Sequence, residues 1–270
     1  MKKSVSEYMK ILEEWFLSKE KTITAFSGGI DSSLVLYLSK HFLGKNALGC
    51  ISKSASLKSS ELDLAIDFCR KYDISLEVIT TSEMEDENYL SNPSNRCYFC
   101  KNHLYLSVSA LQKSYPNYVV LNGSNLDDLG DYRPGLLAAS EHNVSSPLVE
   151  CHIDKNAVRE ISKYLGIEHW DKPASPCLSS RVPYGRSINS KLLKEIENGE
   201  ALLNQYGFTD VRVRHFEEEA RIEVPTDEVP RLNDMFPLIS NEFEKLGFPK
   251  CVVDQEGLVS GKLNRVLSES

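Results

Sequence analysis

Apolar positions along this chain follow two rhythms, and the switches between them outline the fold. From Val5 to Leu17 they recur at helical spacing, which predicts an amphipathic helix. Thr22-Ile23-Thr24-Ala25-Phe26 lacks that spacing and is rich in β-branched residues, so it reads as a buried strand, with Ser33 to Leu38 continuing as a helix packed beside it. Ala47 to Ser52 predicts a second strand, and Ser59 to Tyr72 a helix with Leu62, Ala65, Ile66 and Cys69 on one side. Ser75 to Thr80 gives a third strand and Tyr118 to Leu121 a fourth, while Ser146-Pro147-Leu148 begins or flanks a fifth. Asp154 to Leu165 is a helix capped by Asp154, with Ala157, Val158, Ile161 and Leu165 on its apolar face. Strands and helices alternating at this spacing imply right-handed βαβ units and a parallel α/β sheet, whose ligands bind beyond the carboxyl ends of the strands.

Lys172 to Arg186 contains Pro173, Pro176, Pro183 and Gly185, which break regular structure and mark a linker or an active-site loop. Beyond it come a helix from Ser190 to Tyr206, the alternating run Val211-Arg212-Val213-Arg214-His215, a strand around Arg221 to Val224, a helix from Pro237 to Leu246 and a closing strand Cys251 to Val253. That pattern predicts a smaller α+β domain with antiparallel pairing. The expected division is an α/β domain over 1–172, a junction over 173–189 and the smaller domain over 190–270.

Charge narrows the partners. The 270 residues carry 31 basic and 39 acidic side chains, a net charge of -8, which argues against bulk nucleic-acid binding. No apolar run approaches a membrane span, and Met1-Lys2-Lys3 leads into the first helix without a signal-type apolar region, so a cytoplasmic protein with no membrane contact is expected. Seven cysteines, an odd number, argue against a disulfide framework. Cys50, Cys69, Cys151 and Cys251 border apolar runs and read as small core hydrophobes. Cys97, Cys100 and Cys177 stand in other surroundings.

The first strand breaks into Ser27-Gly28-Gly29-Ile30-Asp31-Ser32-Ser33 and reopens as a helix. Two glycines let the backbone approach a ligand closely, and the amides of a helix start favour an anion. No lysine lies between Lys21 and Lys40, so this is not a Walker loop. It resembles the pyrophosphate loop of the ATP pyrophosphatases, in which the β- and γ-phosphates are gripped and AMP is transferred from an exposed α-phosphorus.

Further candidates follow along the chain. Cys97-Tyr98-Phe99-Cys100-Lys101 opens a helix through Leu111; one Cys-x-x-Cys pair is half of a zinc pattern, and a helix start lowers a thiol's pKa, so redox, metal and purely structural roles all stay open. Gly123 to Gly135 follows the fourth strand and places Asp128, Asp131 and Arg133 on the same rim as the Gly-Gly turn, suited to Mg²⁺ and a charged substrate. Cys177 has Arg181 close by, and a nearby guanidinium favours the nucleophilic thiolate. Arg212 and Arg214 share one face of a strand, expected to be an exposed one whose charges can be removed at little cost in stability.

Together the Ser-Gly-Gly-Ile-Asp-Ser loop, Arg96-Cys97-Tyr98-Phe99-Cys100-Lys101, Gly123 to Gly135 and Pro176-Cys177-Leu178-Ser179-Ser180-Arg181 resemble the LarE family across nearly the whole chain. The resemblance implies a Rossmann-like PP-loop ATP pyrophosphatase domain followed by a smaller α+β domain. It implies an ATP- and Mg²⁺-dependent sulfur transferase acting on a pyridinium dicarboxylate mononucleotide in nickel-pincer cofactor synthesis, and a homo-oligomer. ATP is expected on Ser27, Gly28, Gly29, Asp31, Ser32, Ser33 and Gly123, with Asp31 helping to place Mg²⁺. Substrate is expected on Asp128, Asp131, Arg133, Arg181, Arg212 and Arg214, the last two near its phosphate. Cys177 is either a sacrificial sulfur donor or, with Cys97 and Cys100, a ligand of a [4Fe-4S] cluster that carries sulfur; the cluster alone gives Cys97 and Cys100 a role. Two rival readings are a tRNA thiolase with the same loop and a non-catalytic nucleotide- or cluster-binding sensor.

Overall fold

The computed structural model describes residues 3–130, 133–173, 175–217, 219–259 and 261–267. The chain forms two compact units, Met1–Glu83 with Asn95–Ser175, and Met84–Ser94 with Pro176–Ser270. The segment Met84–Ser94 thus leaves the expected first domain for the second.

In the first unit, helix α1 (Val5–Leu17) leads into strand β1 (Thr22–Ala25), helix α2 (Ile30–Leu43), strand β2 (Ala47–Ser52), helix α3 (Ser59–Lys71) and strand β3 (Ser75–Ile79). The chain then lends the one-turn helix α4 (Glu87–Leu90) to the second unit and returns as α5 (Arg96–Leu111), β4 (Val119–Leu121), α6 (Pro134–Glu141), α7 (Pro147–Glu150) and α8 (Lys155–Tyr164). The sheet has the order β3-β2-β1-β4 and every pairing in it is parallel. Strand order therefore reverses between β1 and β4, and a crevice opens beyond the carboxyl ends of strands at such a reversal. Leu34, Val35, Leu36 and Leu38 are all fully buried, so α2 is apolar nearly all round, as suits a helix that packs on β1 and β2 and also against α1 and α8.

The fifth strand expected at Ser146-Pro147-Leu148 reduces to a single parallel bridge between Leu121 and Ser145, after which α7 begins. Pro147 is the reason: its ring has no N–H to give to a ladder but suits the first turn of a helix.

In the second unit, helix α9 (Ser190–Gln205) is followed by β5 (Arg212–Phe216), β6 (Glu219–Glu223), helix α10 (Val229–Lys245) and β7 (Lys250–Val253). β5 and β6 form the expected antiparallel hairpin, but β6 and β7 pair in parallel. Helix α10 carries the chain back to the end where β6 began, and such a crossover makes the pairing parallel. That helix starts eight residues before the expected Pro237 and accommodates this proline inside it, because Leu232, Ile239 and Phe243 keep one continuous buried stripe. The segment Met84–Ser94 is fastened to the unit through Tyr89 Oη and Ser179 Oγ at 2.7 Å and by Asn92 Nδ2 donating to the carbonyls of Val182 and Pro183.

Candidate active site

Register brings the loop after β1 and the loop after β4 together. Thr24 lies opposite Leu121 in parallel strands, so Phe26 to Gly29 and Asn122-Gly123 leave the sheet from the same edge. Gly123 then passes so close to α2 that a Cβ there would lie 2.5 Å from the amide nitrogen of Ser32. Gly28 takes φ +75, a left-handed value that lets the turn reverse into α2.

The turn is fixed from within. Ser32 Oγ and Ser33 Oγ each donate to the carbonyl of Gly29 at 3.0 Å, the Ser33 amide donates to it at 2.9 Å, and the Ser27 and Ser32 hydroxyls are 3.0 Å apart. Among the described residues the amides of Gly28, Gly29, Ile30, Asp31 and Ser32 have no hydrogen-bond acceptor. Five donors at the positive end of a helix form a cradle for phosphate oxygens. Asp31 stands beside them, paired with Lys155 Nζ at 2.5 Å and accepting from Asn125 Nδ2 at 3.3 Å. A carboxylate next to a bound polyphosphate repels it unless a cation lies between, so this donor set fits a divalent ion of the Mg²⁺ kind.

A cavity of about 310 Å³ opens over the cradle and is lined by Ser27, Gly29, Asp31, Ser32, Gly123, Asp128 and Arg133 from the expected set. Cys97, Lys101 and Tyr105 also line it, because they lie four residues apart on one face of α5. Cys100 is partly exposed but is not in this lining. Asp128 accepts from the Asn125 amide at 3.0 Å and pairs with Arg133 Nη2 at 2.9 Å. Asp131 lies outside the described residues. Gly28 lines a separate cavity behind the loop, beside His169, and Ser33 also turns that way, its Oγ 2.8 Å from His169 Nε2. Burial, and after it the Lys172 ammonium, hold the His169 pKa below its usual value.

Lys155, Asn125 and His169 are participants that the sequence did not announce. Lys155 follows the N-cap Asp154 and passes for an ordinary helix start, while Asn125 and His169 are isolated polar residues whose partners lie 94 and 136 positions away.

In the second unit Cys177 is exposed and precedes a single 3₁₀ turn, Leu178–Arg181. Arg181 was expected to meet thiolate or substrate; instead it is 2% exposed, and its donors are taken. Its Nε and Nη2 hold both oxygens of Glu200 at 2.7 and 3.2 Å, and Nη1 donates to the Pro176 carbonyl and Ser180 Oγ. Arg214 does similar work, bound to Glu223 Oε2 through Nε and Nη2 and to the Ser180 carbonyl at 2.7 Å. These two guanidiniums fasten the Cys177 turn. The expected exposed face for Arg212 and Arg214 is thereby corrected: they are 8% and 3% exposed, and the turn Leu178–Arg181 lies against β5, with Ser180 accepting from Arg214.

Arg212 differs from its neighbours. It has no hydrogen-bond or ion-pair partner among the described residues, and burial, then the charges of Arg214 and Arg181, draw its pKa down. The remaining thiols are set apart by burial, which pushes Cys50, Cys69 and Cys251 up to about 12 and Cys151 to about 11. Among the described residues no group of three or more His, Cys, Asp or Glu side chains is arranged to hold a metal ion, and no helix is long and apolar enough to cross a membrane.

Similarity to known proteins runs along nearly the full length. The chain is 31% identical over 252 residues to the pyridinium-3,5-bisthiocarboxylic acid mononucleotide synthase of Lactiplantibacillus plantarum, covering 93% of this chain and 91% of that one. The chain belongs to the LarE family. A LarE protein is a sulfur transferase, an enzyme of the ATP-using PP-loop superfamily, and the parallel sheet with its amide cradle is the expected Rossmann-like PP-loop fold. An uncharacterized protein of Synechocystis sp. is 41% identical over 260 residues, 96% of this chain and 97% of that one. The tRNA-specific 2-thiouridylase MnmA 1 of Clostridium tetani is 25% identical over 227 residues, 67% of this chain and 60% of that one, which ties LarE to the wider superfamily. No family model matches the chain.

Proposed function

We propose that this protein converts a carboxylate of pyridinium-3,5-biscarboxylate mononucleotide into a thiocarboxylate for nickel-pincer cofactor synthesis, at the expense of ATP. The observation that carries the ATP half is the cradle of five unpartnered amides beside Asp31. The amides from Gly28 to Ser32, with Gly123 pressed against them, hold the β- and γ-phosphates, which leaves the α-phosphorus to the substrate carboxylate. Mg²⁺ placed by Asp31 neutralises phosphate charge. The carboxylate oxygen displaces pyrophosphate and becomes an acyl adenylate, an acyl donor with AMP as leaving group.

Arg212 supports the substrate half. A guanidinium 8% exposed, with no hydrogen-bond or ion-pair partner among the described residues, keeps free donors that an incoming phosphate monoester satisfies. Asp128 and Arg133 border the cleft as further substrate contacts. Cys177, exposed on a turn held by Arg181 and Arg214, attacks the adenylate, expels AMP and forms a thioester. Cleavage of its Cβ–S bond then leaves sulfur on the product and dehydroalanine in the chain.

A second reading of the sulfur source draws on Cys97, exposed, and Cys100, partly exposed, near the start of α5, as ligands with Cys177 of a [4Fe-4S] cluster. The donor reading calls on Cys177 alone and is tested first. A tRNA thiolase is disfavoured by the net charge of -8.

With ATP, Mg²⁺ and the pyridinium substrate the products should be AMP and pyrophosphate; ADP and phosphate would sink the assignment. After one turnover intact-mass spectrometry should find the chain about 34 Da lighter, the mass of H₂S. Cys177→Ala should abolish transfer, whereas Cys97→Ala and Cys100→Ala should each retain a single turnover. Brown, iron-loaded protein purified without oxygen, losing iron on each of the three substitutions and turning over repeatedly with sulfide, would establish the cluster instead.

A further inference from the structure

Lys155 is the first residue of α8, where the helix dipole disfavours a cation. Its backbone is pinned there, since its amide donates to Asp127 Oδ2 at 3.0 Å, and its side chain reaches across to Asp31 at 2.5 Å. Stability gives little reason for the pair. The two side chains are 33% and 24% exposed, and an ion pair so placed contributes little to folding. What distinguishes the contact is its address: Asp31 lies in the first turn of α2, among the unpartnered amides of the phosphate cradle.

We infer that Lys155 is a nucleotide-binding residue that exchanges partners, neutralising Asp31 in the absence of nucleotide and turning to the triphosphate when the metal–nucleotide complex takes Asp31. The inference rests on the assignment of this loop to Mg·ATP and adds a residue to it. Charge decides the exchange. A dication on Asp31 repels an ammonium that shares the same carboxylate, and Lys155 cannot retreat far because its backbone is tied to Asp127. The triphosphate is the one anion that arrives with the metal, and it lands on the neighbouring amides. Mg²⁺ alone, bringing no anion, must instead compete with Lys155 for Asp31.

Opposite signs therefore separate this role from a structural one. Calorimetry with Mg²⁺ alone and with Mg·ATP should be run on the full chain, on Lys155→Met and on Lys155→Arg. Lys155→Met should bind Mg²⁺ alone several-fold more tightly than the parent and Mg·ATP about 10- to 100-fold more weakly. Lys155→Arg, which keeps the charge, should recover most of the Mg·ATP affinity and guards against a variant that merely folds badly. Affinities for Mg²⁺ and Mg·ATP that fall together in Lys155→Met would make the lysine a prop for the loop, and an unchanged Mg·ATP affinity would make it a bystander; either result overturns the inference. If the parent chain binds ATP equally well with and without Mg²⁺, the loop assignment itself fails and takes the inference with it, a result read without any variant.

Discussion

The loop after β1 gathers five amides that carry no formal charge, whereas β5 and its surroundings gather three buried guanidiniums, of which two are matched to Glu200 and Glu223 and one is left over. Phosphate is proposed for both regions, but they are built differently. An amide cradle is assembled by backbone geometry, and each of its donors costs less to keep out of water than a full charge does, because it is a dipole. A guanidinium cluster carries a large desolvation cost, which its carboxylate partners offset only where geometry is good. The first region is therefore vulnerable to any change in backbone shape, and the second to any change in charge balance.

Shape is the sharper test. Gly123→Ala puts a Cβ 2.5 Å from the Ser32 amide nitrogen and 2.7 Å from its Cα, both backbone atoms that cannot swing aside. The β4 loop or the start of α2 has to move, and ATP affinity measured by calorimetry should fall about 100-fold. Gly130→Ala, where a Cβ meets nothing within 4 Å, should leave it unchanged. Equal ATP affinities for Gly123→Ala and the parent would mean that close approach of the two loops does not build the cradle.

Charge balance predicts unequal effects from two arginines on one strand face. Arg214→Ala removes the main partner of Glu223, which is 1% exposed and among the described residues is otherwise paired with Lys262 at 3.4 Å, so chemical denaturation should show a loss of about 4 kcal/mol. Arg212→Ala deletes a buried charge that has no hydrogen-bond or ion-pair partner among the described residues and should change stability by less than about 1 kcal/mol, while weakening substrate binding about 10- to 100-fold. Similar destabilisation by both substitutions would show that Arg212 is bound into the fold and is not held for a ligand.

The same contrast explains what could be read in advance. The cradle is written in seven consecutive residues, and the β-branched run before it and the apolar helix after it locate it at a strand end. The turn and its amides follow from local backbone conformation, so strand, turn and helix were legible, whereas the close approach of Gly123 comes from a loop that only the strand order brings alongside. The arginine cluster depends on partners outside its own strand run, Arg181 on Glu200 and Arg214 on Glu223, and on the turn Leu178–Arg181 lying against β5. Alternation along Val211 to His215 reveals which residues share a face, but not whether that face meets water. Lys155 escaped for a related reason: its partner lies 124 residues away, and the Asp154 cap accounts for the local sequence without it. The transfer of Met84–Ser94 to the second unit is likewise carried by Tyr89 and Asn92 contacts made 90 residues downstream.

A smaller effect should come from acid. His215 is on β5 with the arginines, 8% exposed, and its Nδ1 is buried without a hydrogen-bond partner among the described residues. Burial, and then the Arg186 charge, hold its pKa down to about 4, from an ordinary 6.5. The folded chain therefore keeps this imidazole neutral across that interval, while the unfolded chain takes up the proton. Unfolding binds more protons there, so the contribution of His215 is complete above pH 6.5 and is lost as pH falls toward 4, by at most about 3 kcal/mol. His215→Phe keeps an aromatic ring against Phe248, 5.4 Å away centroid to centroid, and removes the titration. Denaturation curves for both proteins from pH 7 to pH 4 should converge as the parent loses its advantage, whereas a constant difference between them across that range would show that the imidazole is not held neutral by the fold.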